Sequence, residues 1–310
     1  MPETILRRHP DNPILTAEDI PGGAHAVFNS GFVRHEGRVA GLLRVERLDG
    51  TQSIRHAASD DGVRFEVDDE ELLVPADEPE RTYEEAVYDP RITRIDGTCY
   101  VTYASENRFG CQIGLARSTD LRRWERMGMI AEPDNRNIVL FPERIDGLYC
   151  RLDRPFVGPF GGGRNGGVWV SRSPDLIYWG RHRCIMESRP YHWDRGKIGP
   201  GAPPVRTEKG WLVIYHGTTP LCNGLVYRLG LALLDLSDPT KVLARPRRYL
   251  MTPTEAYERI GDTPNVCFAC AAVPSPDGRE LAVYYGAADQ CLCLATARID
   301  DLVEAALTWD

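Results

Sequence analysis

One pattern returns five times along this 310-residue chain, and few folds can accommodate it. Each copy reads as a charged turn, an apolar strand, a loop, a second strand, and a turn built on Ser or Asp. The first copy runs from Glu36-Gly37 through Leu42-Leu43 to Ser59-Asp60-Asp61-Gly62, and the second from Asp96-Gly97 through Tyr103 to Ser118-Thr119-Asp120-Leu121. The third runs from Asp146-Gly147 through Leu152 to Ser173-Pro174-Asp175-Leu176, the fourth from Lys209-Gly210 through Tyr215 to Asp235, and the fifth from Asp277-Gly278 through Tyr285 to Ala297. The turn aspartates Asp60, Asp120, Asp175 and Asp238 are 60, 55 and 63 positions apart. Asp-Gly and Ser-Pro-Asp punctuation is hairpin chemistry. Helical periodicity is nearly absent, residues 300–306 being the best candidate for a short helix. Units of three or four short strands, repeated radially, bury both faces of each sheet and protect its edges. The expectation is an all-β chain whose residues 1–310 form a single five-bladed β-propeller. A β-sandwich or two small β domains would explain neither the repeat phase nor the absence of a Pro/Gly-rich linker at mid-chain.

With 42% hydrophobic and 26% charged residues the chain is neither disordered nor collagen-like. The 37 basic and 45 acidic residues leave a net charge of −8, which disfavours nucleic acid as a partner. No apolar run reaches the 18 residues of a membrane span, and the first residues lack a signal-peptide core. Nine cysteines, an odd number without an export signal, read as reduced thiols in a cytoplasmic protein. Cys291-x-Cys293 reads as small buried residues of an apolar strand, and Cys267-x-x-Cys270 lacks a second pair at zinc-finger spacing, so no metal is expected.

In a propeller the inner strands line a central channel, so polar groups distant in sequence converge there. Asn29 and Ser30 follow the apolar stretch 26–28, and Arg44 continues Leu42-Leu43. Tyr88-Asp89-Pro90 places a carboxylate at a proline-stiffened strand start. Arg136-Asn137, Arg151 and Arg154 around Leu152-Asp153, Lys197 and His216 fall at the inner ends of three different units. Lys197 stands out because it sits in the stiff segment Lys-Ile-Gly-Pro-Gly-Ala-Pro-Pro. Gathered cations in an acidic protein read as an anion pocket, since guanidinium and ammonium groups suit phosphate oxygens. The run Gly161 to Gly167 lacks P-loop spacing and reads as a mobile loop at the channel mouth.

Across nearly its full length the sequence resembles glycoside hydrolase family 130, the mannoside phosphorylases. The matching stretches include Asn12-Pro-Ile-Leu-Thr, Val27-Phe-Asn-Ser, Leu42-Leu-Arg-Val-Glu, Tyr88-Asp-Pro-Arg-Ile-Thr, Val139-Leu-Phe-Pro-Glu, Lys197-Ile-Gly-Pro-Gly-Ala-Pro-Pro, Ile214-Tyr-His-Gly and Tyr284-Tyr-Gly-Ala-Ala-Asp. The set looks most like the branch acting on β-1,4-linked manno-oligosaccharides. The resemblance implies that Asp89 is the general acid and that Arg136, Asn137, Arg154, Lys197 and His216 hold inorganic phosphate. It further implies that Asn29, Ser30, Arg44, Tyr88 and Asp289 contact the mannosyl unit. Where the family often has Asn-Val-Val-Phe-Pro-Cys-Gly this chain reads Asn265-Val-Cys-Phe-Ala-Cys-Ala, a departure that bears on acceptor-side packing.

The chemistry agrees with the residue types. An inverting glycosidase needs an acid and a base, whereas a phosphorylase needs only the acid, because phosphate arrives already ionised and is held by cations. The expected partners are thus an oligosaccharide and phosphate as co-substrate, with no cofactor; the propeller rims offer contact surfaces for a homo-oligomer. Two alternatives stand beside this reading. One is a β-mannoside hydrolase using Glu85, Asp194 or Asp289 as base. The other is a non-catalytic carbohydrate-binding propeller with Trp169, Trp179, Trp193 or Trp211 as sugar platforms.

Overall fold

The computed structural model describes residues 5–75, 83–156 and 166–309. Five antiparallel sheets stand around a central axis as the blades of a five-bladed β-propeller. Blade I comprises Ala26–His35, Arg38–Glu46, Gln52–Ser59 and Glu66–Leu73, and blade II Ala86–Ile95, Thr98–Asn107, Gly110–Ser118 and Glu125–Met129. Blade III comprises Asn135–Leu140, Tyr149–Pro155, Val168–Ser173 and Gly180–Met186. Blade IV is built on Ile198–Pro200, Trp211–Leu221, Gly224–Leu234 and Val242–Ala244, with Val205–Arg206 as a short extra pairing. Blade V runs outward through Cys267–Pro274, Glu280–Ala287 and Cys291–Arg298, and its outermost strand is Arg7–Arg8. The first strand of the chain therefore closes the ring against the last blade. Leu6 beside it is fully buried, and Arg8 forms a forked ion pair with buried Glu258, Nε to Oε1 at 2.7 Å and Nη2 to Oε2 at 2.9 Å.

The apolar doublets of the sequence follow from the twofold period of a strand buried on both faces. Leu42 enters the seam between blades I and II with Val87 and Val101, whereas Leu43 enters the seam between V and I with Val27 and Leu292. Ile138 and Leu140 face blade II, whereas Val139 faces blade IV with Leu152 and Val213. The remaining seam, between IV and V, holds Leu229, Leu231, Val283 and Tyr285, and the helix Ile299–Thr308 packs onto it. Cys267 and Cys293 belong to the same cluster, and Cys270 and Cys291 are also buried, as their strand positions required.

The recurring turn has a shared construction. Ser118 Oγ accepts the amide of Leu121 at 2.9 Å, and Asp120 Oδ1 accepts those of Arg122 and Arg123. Ser173 and Asp175 repeat this with Leu176, Ile177 and Tyr178. In blade I the equivalent pair is Ser59 and Asp61, with Gly62 at the left-handed position that Leu121 and Leu176 occupy elsewhere. Asp61, not Asp60, is thus the repeat aspartate. Asp60 is exposed and pairs with Arg38.

Candidate active site

The inner strands of blades I, II and III each break register at one place. The shifts fall between Phe28 and Gly31, Tyr88 and Arg91, and Arg136 and Val139. At each bulge a polar residue adopts a left-handed backbone, Asn29 at φ 43°, Asp89 at 52° and Asn137 at 60°. Asn and Asp tolerate this region better than most residues, and a bulge re-aims its side chain. On the neighbouring strand, the residue opposite the one preceding the bulge is Arg44 in blade I and Arg154 in blade III. His216 stands opposite Gly199 in blade IV.

These positions converge on one cavity of about 500 Å³ at the channel mouth. It is lined by Asn29, Arg44, Tyr88, Asp89, Arg136, Asn137, Arg154, Lys197, His216 and Asp289, that is, by all but one of the site residues expected from sequence. The exception is Ser30. Its hydroxyl donates to Phe28 O at 3.0 Å and accepts the Arg44 amide at 3.3 Å, so it braces the bulge instead of lining the cavity. A larger depression of about 1140 Å³ lies on the seam between blades III and IV and contains none of these residues.

Asp89 is buried, and one of its oxygens is held twice. Asn29 Nδ2 donates to Oδ1 at 3.0 Å and Arg44 Nη1 at 2.7 Å. Among the described residues nothing hydrogen-bonds Oδ2, which leaves that oxygen free toward the cavity that Asp89 lines. Arg44 is fixed in turn by Gln52 Oε1 at 2.9 Å and by the ring of Phe28, 4.0 Å from its guanidinium carbon. Asp289 sits on a tight turn, both Ala288 and Asp289 being left-handed, and its half-buried carboxyl is pushed up chiefly by burial.

The opposite wall is cationic. Arg136 pairs with Glu106 at 2.9 Å, and Glu106 also accepts the Tyr88 hydroxyl at 2.5 Å. Among the described residues Arg154 and Lys197 take part in no ion pair, and the buried Nε of Arg154 has no hydrogen-bond partner. Burial, then Arg136, pulls Arg154 down to about 10; burial, then Arg154 and Arg136, pulls Lys197 down to about 8. Buried His216 is pushed well below its ordinary value by burial, Arg154, Lys197 and Arg91, so it is neutral. Its ring lies 4.6 Å from that of Phe268, and Lys197 Nζ is 5.2 Å from the Tyr227 centroid. Arg154 and Lys197 thus repel each other without a paired counter-charge among the described residues, an arrangement chemically suited to an anion.

The cavity also contains residues that sequence reasoning left without a role: Gln52, Glu106, Tyr227, Val266 and Phe268. Glu106 is next to last in the second strand of blade II, opposite Ala86, a position legible only once register is known. In the stretch that departs from the family pattern, Cys267, Ala269 and Cys270 are buried, while Val266 and Phe268 face the cavity. Residues 161–165 of the glycine run lie outside the described residues; Gly166 packs against Arg154, a Cβ there meeting Arg154 Cδ at 3.1 Å.

Other readings meet different placements. Of the carboxylates considered as a hydrolytic base, only Asp289 lines the cavity; Asp194 is fully buried and bound by Arg189, Arg245 and Tyr215, and Glu85 is exposed. None of the four candidate tryptophan platforms lines it either. Trp211 is buried in a seam against Phe141, and Trp193 stacks on Tyr215. All nine cysteines carry free thiols, and among the described residues no helix is long and apolar enough to cross a membrane. One exposed group, His25, Glu46 and Asp262, brings potential metal-ligand atoms within 4.8 Å of one another outside this cavity.

Fold and cavity together define a five-bladed propeller that gathers one doubly held carboxylate and several cations in a single cavity. The comparisons give the family. The family model described as beta-1,4-mannooligosaccharide phosphorylase matches residues 6–307. The chain is 34% identical over 311 residues to the beta-1,4-mannooligosaccharide phosphorylase of Ruminococcus albus, covering 97% of this chain and 90% of that one. It is 37% identical over 272 residues to a beta-1,2-mannobiose phosphorylase of Listeria innocua, 88% and 73% of the two chains. A solved structure of the Listeria innocua beta-1,2-mannobiose phosphorylase with β-1,2-mannobiose superposes with a TM-score of 0.88 at 30% identity, covering 97% and 99%. The protein belongs to glycoside hydrolase family 130, the mannoside phosphorylases.

Proposed function

We propose that the protein cleaves β-1,4-linked manno-oligosaccharides by inverting phosphorolysis, with Asp89 as acid and the opposite wall as phosphate site. Phosphate held by Arg136, Asn137, Arg154, Lys197 and His216 attacks C1 of the terminal mannosyl unit. The C1–O glycosidic bond breaks, a C1–O–P bond forms on the opposite face, and the departing oxygen takes the proton from Asp89, directly or through a mannose hydroxyl. The products are α-D-mannose 1-phosphate and a shortened acceptor. Asn29, Arg44, Tyr88 and Asp289 line the part of the cavity that would receive the mannosyl ring.

The observation that carries this reading is the pair of cations without ion pairs among the described residues, Arg154 and Lys197, in the same cavity as the doubly held Asp89. Water as nucleophile would need a base and no cations. The β-1,4 linkage is preferred because the matching family model and the Ruminococcus albus relative carry that description over nearly the whole chain. Nine free thiols support a reducing, cytoplasmic compartment.

The test incubates the protein with β-1,4-mannobiose, β-1,2-mannobiose or β-1,4-mannosyl-glucose, with and without phosphate. Phosphate-dependent release of α-D-mannose 1-phosphate, fastest from the β-1,4-mannoside, is expected. Cleavage at the same rate without phosphate would reject it. Asp89→Asn should lower kcat by about 10²–10⁴-fold, the usual contribution of a general acid.

A further inference from the structure

Arg91 lies beneath the cavity floor, two residues past the acid, with 2% of its surface exposed. It ties three blades together. Its Nε donates to Gly201 O of the blade IV segment at 2.9 Å, its Nη1 to the carbonyl of Asp89 in blade II at 2.9 Å, and its Nη2 to Asn137 Oδ1 in blade III at 3.3 Å. The guanidinium also lies 5.5 Å from the ring centroid of Phe268 in blade V. Among the described residues it takes part in no ion pair, its described acceptors being two carbonyls and one amide oxygen.

The contact with Asn137 has a chemical consequence. A carboxamide can present an acceptor or two donors, and its orientation follows its neighbours. Arginine has only donors, so Asn137 must turn its oxygen toward Arg91. Its NH₂ is then the face left for the cavity, which Asn137 also lines. An oxyanion is all acceptor, so an amide presented oxygen-first would repel it.

We infer that Arg91 is a positioning residue of the oxyanion site, holding Asn137 with its NH₂ toward the cavity while fixing the backbone that carries Asp89. The inference rests on the phosphorolysis reading above. Its planar fork matters as much as its charge, because one lysine ammonium cannot satisfy three acceptors arranged on three blades.

The experiment measures phosphate KM and mannobiose KM separately for Arg91→Lys, Asn137→Ala and the double variant, with Tm alongside. Each single variant should raise phosphate KM about tenfold, the effect of one charge-assisted hydrogen bond, while mannobiose KM stays within about twofold. The double variant should be no worse than the worse single, since both remove the same oriented amide. Phosphate defects that multiply, or a rise in both KM values tracking a fall in Tm, would overturn the inference. Should Arg91→Lys not fold, Asn137→Asp against Asn137→Ala decides: a carboxylate anchored by Arg91 aims its second oxygen at the cavity, so Asn137→Asp must show the higher phosphate KM. Equal or lower overturns the inference. If the unmodified protein cleaves mannosides equally without phosphate, the underlying reading fails; a phosphate-dependent wild type with multiplying defects sinks the Arg91 inference alone.

Discussion

Lys197 meets two opposing demands. An ammonium is what an anion pocket needs, yet burial, Arg154 and Arg136 disfavour that charge and bring its pKa down to about 8. The charged form is therefore present below about 8 and lost above it. Phosphate KM should climb as pH rises past 8, and Lys197→Arg, whose guanidinium stays protonated, should push that climb to higher pH. A phosphate KM flat between about pH 7 and 9.5 in the unmodified protein would remove Lys197 from the site. Lys197 and Asp89 were legible in the sequence because each stands in a stiff proline-containing segment, where a charged side chain is held in one place. Ser30, Glu106 and Arg91 were not, because their work depends on strand register. A serine next to Asn29 looks like a ligand until the bulge turns it toward Phe28 O.

Bulges and turns are the elements on which this site is built. Asn29 reaches Asp89 across a blade boundary, and from behind it is pressed by blade V: a Cβ on Gly286 would stand 2.1 Å from Asn29 Oδ1. Gly286→Ala should displace that amide, release one of the two donors on Asp89, and lower kcat at least about tenfold with a smaller change in stability. Kinetics beside urea denaturation would check it, and an unchanged kcat would mean that Asn29 does not orient the acid. The outer turns predict a pH dependence of stability. Backbone amides of Arg64 and Val63 hold Asp61 down to about 2, and Asp120 and Asp175 are lowered by the equivalent amides. Carboxyls with folded values below the unfolded 3.8 stabilise the fold above that pH, and the contribution disappears as pH falls from 3.8 toward 2. Urea midpoints should therefore drop steeply across that window, and less steeply in Asp61→Asn. The repeat that produces these turns was readable from Ser and Asp spacing; the misplacements, Asp60 for Asp61 and Asp238 for Asp235, which accepts the amides of Ser237 and Asp238, arose because neighbouring aspartates satisfy the same pattern.

At the scale of the molecule, the ring is shut by two residues. Arg7–Arg8 is too short to show periodicity, so the sequence carried no sign that the opening residues complete the last blade. Arg8→Ala leaves Glu258 fully buried without its cation, a loss of about 3–5 kcal/mol for a broken buried pair. The amides of Thr254 and Glu255 and the Tyr285 hydroxyl still reach Glu258, which favours the lower end. Equilibrium urea unfolding measures it, and a cost below about 1 kcal/mol would show that the pair does not secure the ring. The closure also governs rate. Asp89, the cations and Asp289 are mounted on different staves of one barrel hoop, and Gly286 and Asn29 meet across the seam between the first blade and the last, the one that Arg7–Arg8 fastens. Springing that fastening would let the circumference relax while every sheet kept its hydrogen bonds, so mild denaturant should silence turnover before the far-ultraviolet circular dichroism changes.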